Sequence, residues 1–279
     1  MIVTPGLLMV FATVLYPLGY GITISFKSAH LLKLHKAEWD GFGNYQALFR
    51  DDLFWNALQN TVVMTGLWTI LGALLGLMFA LALNRESRAS RVIGGALLIP
   101  WIMPGVVIAY MCVFLFESRN GIMFEALSHL GIFPVRENVW SSLTYAKPTV
   151  ILITTWMAFP FFMVMFLAGL KTIPKEVVEA TEIDGASPIQ GFFYITLPYL
   201  KNIIVIATTL SFIWGFNFLD IIYATTRGGP ISTTETMAYL AWRMAFEVLD
   251  LGYTAGLGVI WLLVLLVFSV FYLKSMKVI

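Results

Sequence analysis

Long apolar runs alternate with short polar segments along this chain. Six runs are each long enough to cross a bilayer, which takes roughly 20 residues in a helix. Glycine and proline occur within them, as membrane helices tolerate when neighbouring helices satisfy the freed carbonyls. The pattern predicts an all-α, multi-pass membrane protein with one transmembrane domain over 1–279 and six helices at about 3–26, 58–83, 92–116, 148–170, 201–226 and 251–273.

Composition supports a membrane protein and excludes several chemistries. Hydrophobic residues make up 59% of the chain and charged residues 12%, and the mean hydropathy is +0.84, far from soluble averages. The single cysteine, Cys112, lies inside a predicted span, and the three histidines lack metal-ligand spacing, so we expect no disulfide and no metal site. No Gly-x-x-x-x-Gly-Lys-Ser/Thr loop occurs, so ATP would have to be hydrolysed elsewhere.

A polar segment at about 171–199 separates the fourth and fifth runs. Residues 176–184 have the composition of a short helix, and Gly185 would end it because glycine accepts a positive φ. Ser187 and Pro188 then have the character of an N-cap and a first helical residue, opening a second short helix through 190–195. The pattern predicts two short helices joined by a tight corner, which is either a docking element or an interfacial helix pair without a partner.

This segment resembles the EAA loop of ATP-binding-cassette (ABC) importer permeases. Thr181 stands where that motif has its second alanine, while Asp-Gly-Ala at 184–186 and Phe-x-x-Ile-Thr-Leu-Pro at 192–198 resemble the carbohydrate-uptake branch. The resemblance implies the type I importer permease fold, in which this cytoplasmic coupling loop docks on an ATPase subunit. The residues that it assigns to ATPase coupling are Glu179, Ala180, Asp184, Gly185, Leu197 and Pro198.

Other stretches extend the resemblance from about residue 40 to the carboxyl terminus. They lie at 42–61, 83–104 and 218–236, and the last contains a Gly-Gly-Pro typical of the maltose-permease-like member of a permease pair. The resemblance implies a transport subunit of a bacterial inner membrane rather than an enzyme, with no cofactor of its own and no nucleic acid partner. The implied partners are a second, different permease, two ATPase subunits that bind ATP and Mg²⁺, and an external solute-binding protein.

Two helical faces flank the coupling loop and are candidates for the solute pathway. In each, the residues recur at intervals of three or four and so share one face of a helix. The resemblance implies a sugar site in the same windows of the maltose permease, and aromatic rings suit the C–H faces of sugars. Ordinary helix packing is the alternative reading. The candidates are Thr154, Met157, Ala158 and Phe161 in the fourth run, and Ser211, Gly215 and Phe218 in the fifth.

Two further features are expected at the outer side. Asp220 is the only acid well inside a predicted run, and Asn217, three residues earlier, could share a polar network with it. Structural hydrogen bonding and solute handling both remain open for this pair. The turn at Gly228, Gly229 and Pro230 is expected to contact the solute-binding protein, or else to be a simple connection.

Charge does not decide the orientation. With a cytoplasmic amino terminus, eight lysines and arginines lie inside and nine outside, so the orientation with both termini cytoplasmic rests on the coupling loop.

Sugars and oligosaccharides are the leading cargo, with polyols and glycerol phosphates behind them. A secondary transporter or channel and an intramembrane enzyme are the other classes, although the chain lacks the repeats or His-Glu-x-x-His motif typical of them.

Overall fold

The computed structural model describes residues 4–85, 87–132 and 138–275, and helices dominate this part of the chain. In it, five helices are long and apolar enough to cross a membrane, and a bent pair supplies a sixth crossing if it is counted as one. Residue 3, where the first predicted run begins, lies outside the described residues. In chain order the spans are span 1 (Thr4–Ile24), span 2 (Asp52–Leu83), span 3 (Arg88–Ile102 with Gly105–Leu115), span 4 (Ala146–Leu170), span 5 (Pro188–Ala224) and span 6 (Leu251–Lys274).

Short elements connect the spans. Strands β1 (Lys27–Ser28) and β2 (Glu38–Trp39) pair antiparallel, with Lys27 opposite Trp39. The coupling loop contains one separate helix, and the connection between spans 5 and 6 contains another. The helices outside the spans are Leu31–Lys36 and Val139–Ser141, which are 3₁₀, and Gly43–Arg50, Ile122–His129, Lys175–Ile183 and Met237–Phe246.

Span 3 is not the continuous helix that the hydrophobic run at 92–116 predicts. It consists of Arg88–Leu97, Ile99–Ile102 and Gly105–Leu115, and the last helix turns by 94° from the first part. Met103 is extended, with φ −70° and ψ 139°, because the ring of the following Pro104 disfavours helical geometry there. The apolar run predicted the position of the span, and Pro104 within it is the local signal for a break, but the angle of the bend depends on packing.

Span 5 begins at Pro188, well before the predicted start at 201. The second short helix expected at 190–195 is therefore the first part of this span. A π-helical turn, Phe192–Thr196, ends two residues before Pro198, and the π turn Phe11–Leu15 of span 1 ends two residues before Pro17. A proline removes one helical hydrogen bond and its ring presses on the preceding turn, so a widened turn keeps the helix continuous.

Spans 2 and 4 form the centre of the bundle, and span 5 packs against both. The contact between spans 2 and 4 depends on Gly76, since a Cβ there would lie 2.4 Å from Phe162 Cβ and 2.8 Å from the Met163 amide nitrogen. Phe162 is fully buried beside Phe166 and Leu200. Span 1 is almost entirely exposed and packs on span 6.

We predict that Gly76→Ala lowers the thermal stability of the detergent-solubilised chain. The added methyl group meets backbone as well as side chain, so spans 2 and 4 must separate, at a cost of about 1–3 kcal/mol. The matched control is Gly66→Ala in the same helix, where no atom lies within 4 Å of the new Cβ and the better helix propensity of alanine should maintain or raise stability. Equal melting temperatures for the two variants would contradict the packing argument.

Candidate functional site

The two candidate faces of spans 4 and 5 meet around a cavity of about 130 Å³. Its lining includes six of the seven residues proposed for the solute pathway, and the seventh, Gly215, lines a smaller cavity of about 20 Å³ beside it. Both cavities lie between spans 2, 4 and 5, so the structure brings the predicted residues of spans 4 and 5 together. The six residues are Thr154, Met157, Ala158, Phe161, Ser211 and Phe218.

Three tryptophans complete the wall of the larger cavity, and sequence reasoning missed them. Trp68 comes from span 2, Trp101 from the break in span 3, and Trp214 from span 5. The Phe161 ring lies 4.8 Å from the Trp214 ring and 5.9 Å from the Trp101 ring, and Trp68 meets Phe218 edge to face at 4.8 Å. No local pattern marks these positions, because they come from three separate helices.

The hydroxyl groups expected to meet the solute are already engaged within the chain. Thr154 Oγ1 donates to the carbonyls of Val150 and Ile151, each at 2.9 Å, and Ser211 Oγ shares a 3.0 Å hydrogen bond with Thr69 Oγ1. In contrast, Trp68 Nε1 is buried without an acceptor in the part of the chain that the structure describes. The indole N–H of Trp68, which can only donate, is therefore a buried group without a partner among the described residues.

Gly215 acts mainly through its small size. A Cβ at this position would lie 2.2 Å from Thr65 Cγ2 and 2.7 Å from Trp68 Cζ2. Only a residue without a side chain lets span 5 approach span 2 this closely. Gly215 thus positions the Trp68 ring between the two cavities, both of which that ring lines.

The Asn217–Asp220 network does not form, and the break in span 5 explains why. The helix Leu197–Phe216 ends at Asn217, whose side chain donates to the Ile213 carbonyl at 3.1 Å, and Asp220 begins a separate short helix, Asp220–Ala224. The spacing of three residues therefore no longer places the pair on one helical face. The exposed Asp220 instead packs at Gly105, where a Cβ would lie 2.7 Å from its Oδ2. A carboxylate is favoured there by the amino-terminal end of the helix Gly105–Leu115.

The Gly-Gly-Pro turn folds inward rather than projecting from the surface. Gly228 is buried with φ +79°, and a Cβ there would lie 2.2 Å from Glu235 Oε2, so both its conformation and its packing require glycine. The exposed tip of the turn is Ile231, with 84% of its surface accessible. Gly228 therefore maintains the conformation of the loop, and a partner protein would contact Ile231 before Gly228.

Side chains near the amino-terminal end of span 2 clamp this loop to the bundle. The Asn60 amide donates to the carbonyls of Ser232 and Glu235, each at 3.0 Å, and the Asn56 amide donates to Ser232 at 2.7 Å. Asn60 Oδ1 in turn accepts from Lys147 Nζ of span 4 at 2.8 Å. One asparagine thus links spans 2 and 4 to the connection between spans 5 and 6.

Glu235 is buried at the centre of this loop. Arg243 Nη2 lies 3.2 Å from Glu235 Oε1, an ion-pair contact without hydrogen-bond geometry. Burial raises the pKa of Glu235 to about 7, although Arg243 acts in the opposite direction and Glu247 adds to the rise. Sequence reasoning missed this acid because its burial depends on how the whole loop folds over span 2.

The coupling loop has the predicted corner and cap. Its helix Lys175–Ile183 is followed by Gly185 with φ +75°, a conformation that favours glycine. Ser187 Oγ then accepts from the Gln190 amide while Gln190 Oε1 accepts from the Ser187 amide, which forms a capping box at the start of span 5. Glu179, Ala180, Asp184 and Pro198 are exposed, and Leu197 is half-buried.

A family model described as "Binding-protein-dependent transport system inner membrane component" matches residues 72–277, which run from the second half of span 2 through the coupling loop to span 6. The chain belongs to this family. It is a membrane-spanning ABC importer permease and not an enzyme, as the resemblance of the coupling loop implied. The family excludes the secondary-transporter and intramembrane-enzyme readings.

Individual relatives cover nearly the whole chain. The sulfoquinovosyl glycerol transport system permease of Agrobacterium fabrum is 34% identical over 99% of this chain and 89% of its own length. The trehalose/maltose transport system permease of Thermococcus litoralis is 32% identical over 84% of this chain and 78% of its own. A bacterial ABC transporter involved in the import of the acidic polysaccharide alginate has the same fold, with a TM-score of 0.84 at 20% identity, covering 100% of this chain and 94% of that one.

We predict that Glu235 makes the stability of the permease depend on pH. Its pKa in the folded chain, about 7, exceeds its ordinary value of 4.5, so its contribution is fully present below about pH 4.5 and is lost as the pH rises through about 7. The loss is on the order of 3 kcal/mol. Melting temperatures of the wild type and Glu235→Gln, measured from pH 5 to pH 8, should diverge. Only the wild type loses the stability contributed by Glu235 as the pH rises.

The exposed Glu247 provides the control in the same loop. Glu247→Gln should keep most of the wild-type dependence on pH, reduced only by loss of the charge that adds to the rise in the Glu235 pKa. If Glu235→Gln instead follows the wild-type curve at every pH, ionisation of Glu235 does not limit the stability of the loop.

Proposed function

We propose that this chain forms one half of a sugar or oligosaccharide pathway across a bacterial inner membrane, beside a second and different permease. The cavity between spans 2, 4 and 5 carries this proposal. Trp101 and Trp214 are each nearly half exposed at its edge, so the cavity is incomplete within one chain. A second permease facing these rings would complete the enclosure.

The coupling loop transmits ATP binding and hydrolysis from two cytoplasmic ATPase subunits, which hold the ATP and Mg²⁺. Its exposed apolar side chains support this role, since an unpartnered apolar surface on a polar loop favours contact with another protein. Ile183 is 84% exposed and Tyr194 is 76% exposed, on either side of the corner at Gly185. Glu179, Ala180, Asp184, Leu197 and Pro198 belong to the same docking surface. Both termini are then cytoplasmic.

The cargo is a carbohydrate. The named cargo of relatives includes sulfoquinovosyl glycerol and trehalose or maltose, and the structural neighbour imports alginate. Aromatic rings around a cavity suit the C–H faces of sugar rings, which is the feature of this chain that favours the same class. A polyol or a glycerol phosphate is the alternative cargo for the same machinery.

The external solute-binding protein delivers this cargo to the connection between spans 5 and 6. The exposed Ile231 and the adjoining Gly229 and Pro230 offer the contact, while the buried Gly228 holds their shape against Glu235. The links from Asn60 to this loop and to Lys147 would then connect the docking surface to spans 2 and 4.

We predict that Gly185→Val uncouples ATP from uptake. A positive φ costs a residue with a side chain about 1–2 kcal/mol, so the equilibrium constant for the native corner falls roughly tenfold and the docking surface is displaced in part of the population. Solute uptake in proteoliposomes containing the assembled importer should fall, by up to about that factor, with the amount of inserted permease unchanged.

Two control variants distinguish the effect of the positive φ at Gly185 from the effect of replacing a glycine. Gly185→Asn should retain most uptake because asparagine adopts this conformation more readily. Gly191→Ala should be neutral, since Gly191 lies in ordinary helical geometry with φ −56° and a new Cβ would make only a 3.7 Å contact. Full uptake by Gly185→Val would refute the coupling role.

We also predict a heterodimeric permease core. Native mass spectrometry of the importer purified through a tag on this chain should find one copy of this chain, one different six-span permease and two ATPase subunits. The physical reason is that a single chain surrounds only part of the cavity. Two copies of this chain in the intact complex would disprove the heterodimer. A complex without ATPase subunits would disprove the proposed importer assembly.

A further inference from the structure

The first part of span 3, Arg88–Ile102, has two faces of different character. One face meets the bundle, since Pro100 and Trp101 line the larger cavity and a Cβ at Gly94 would lie 3.6 Å from Leu83 Cδ1 of span 2. The other face is turned away from the bundle, and no residue of the helix Arg88–Leu97 is buried. This outward face is therefore open to a partner outside the chain.

An apolar stripe runs along the outward face. Val92, Gly95, Ile99 and Ile102 recur at intervals of three and four residues, and Leu98, which joins the two helices of this part, is itself in helical geometry. Val92 is 73% exposed, Ile102 is 72% exposed, and a Cβ at Gly95 would meet no atom within 4 Å. At about 1.5 Å per residue the stripe is about 15 Å long, or half the hydrocarbon thickness of a bilayer. It therefore matches the acyl chains of a single leaflet.

Three exposed arginines stand at the head of this stripe. Arg85, Arg88 and Arg91 have no acidic partner among the described residues. Arg88 precedes Val92 by four residues and so continues the stripe itself. The segment 85–91 contains three arginines and one acid, Glu86, which lies outside the described residues, so its net charge is +2. Cations in a first turn oppose the helix dipole, so the helix alone does not favour Arg88 and Arg91 there, whereas an external anion would.

This end of span 3 lies on the same side of the membrane as the coupling loop, because two crossings, spans 3 and 4, separate the two connections. The proposed orientation makes that side cytoplasmic, so the inference that follows rests on the proposed function. Anionic lipids of the cytoplasmic leaflet attract basic segments next to a membrane helix. Their phosphate groups also suit the planar, forked donors of arginine.

We propose that the outward face of span 3 binds an acidic phospholipid of the cytoplasmic leaflet. The phosphate accepts hydrogen bonds from Arg88 and Arg91, while an acyl chain lies along the stripe and occupies the space left open at Gly95. A second permease is the other candidate to cover an apolar face. A stripe one leaflet long and headed by cations favours the lipid, because it matches a phospholipid in both length and charge. Since the same helix presents Trp101 to the cavity, the bound lipid holds that wall of the cavity in place.

Native mass spectrometry of the assembled importer tests this proposal. The complex is purified through a tag on this chain and titrated with dioleoyl phosphatidylglycerol or dioleoyl phosphatidylcholine. We expect saturable binding of phosphatidylglycerol in preference to phosphatidylcholine. Each arginine near an anionic headgroup contributes about a fivefold gain in affinity, so Arg88→Gln/Arg91→Gln should weaken phosphatidylglycerol binding about 25-fold.

Arg119→Gln is the matched control. Arg119 is also exposed, but it follows the opposite end of span 3 and has no place on the stripe. This variant should bind phosphatidylglycerol like the wild type. Equal affinity of the wild type for the two lipids, or unchanged phosphatidylglycerol affinity in the double variant, would overturn the proposal.

Gly95→Trp tests the apolar stripe and distinguishes a lipid from a protein partner. The new side chain has room within this chain, so the variant should insert normally, but it fills the space assigned to the acyl chain. We expect phosphatidylglycerol binding to weaken at least tenfold while the second permease remains in the complex. Loss of the second permease from this variant would show that the stripe is a contact between permeases, and wild-type lipid binding would show that no acyl chain lies there. Either result would contradict the lipid site.

The subunits counted in the same spectra separate failure of this inference from failure of the proposed function. If the complex contains both permeases and two ATPase subunits but does not prefer phosphatidylglycerol, the importer function stands and the lipid site is wrong. If no ATPase subunit assembles with the chain, the proposed function itself fails.

Discussion

A hydrocarbon environment cannot hydrogen-bond a peptide group, so every interruption of a helix in this bundle must be enclosed by protein or border a cavity. The two sharp interruptions obey this constraint together. The break of span 3 at Met103–Pro104 and the break of span 5 after Phe216 lie side by side, with Asp220 against Gly105. The larger cavity borders this region, since Pro100 and Trp101 before the first break and Phe218 after the second are among its lining residues.

The same rule explains where polar side chains are placed. Within the bundle Thr154 Oγ1 donates to helix carbonyls and Ser211 Oγ bonds to Thr69 Oγ1, so both hydroxyls are engaged within the protein. An extended polar network lies near the end of span 2, where Asn60 joins a loop carbonyl to Lys147. An unpaired donor such as Trp68 Nε1 is conspicuous against this background.

Local chemistry made part of the molecule predictable from sequence. The spans followed from apolar run length, the corner at Gly185 and the cap at Ser187 followed from residue type, and helical spacing placed Thr154 with Phe161 on the cavity. The remainder depended on contacts between distant segments. The angle of the 94° bend, the inward fold of the Gly-Gly-Pro turn and the gathering of the tryptophans are not encoded in any single window, although Pro104 marks where the bend occurs. The Asn217–Asp220 pair failed as a prediction because the helix stops between them.

Span 5 has a mechanical property that follows from its continuity. From Pro188 to Phe216 its helical backbone runs without a break, since the π turn before Pro198 widens the helix and does not end it. At about 1.5 Å per residue this makes a stiff lever roughly 43 Å long, with the capping box at one end and the cavity near the other. A tilt of about 5° at the capping box would carry the far end through roughly 4 Å, more than the width of a water molecule. A small rotation of span 5 at the capping box would therefore move its far end far enough to expose a buried ring.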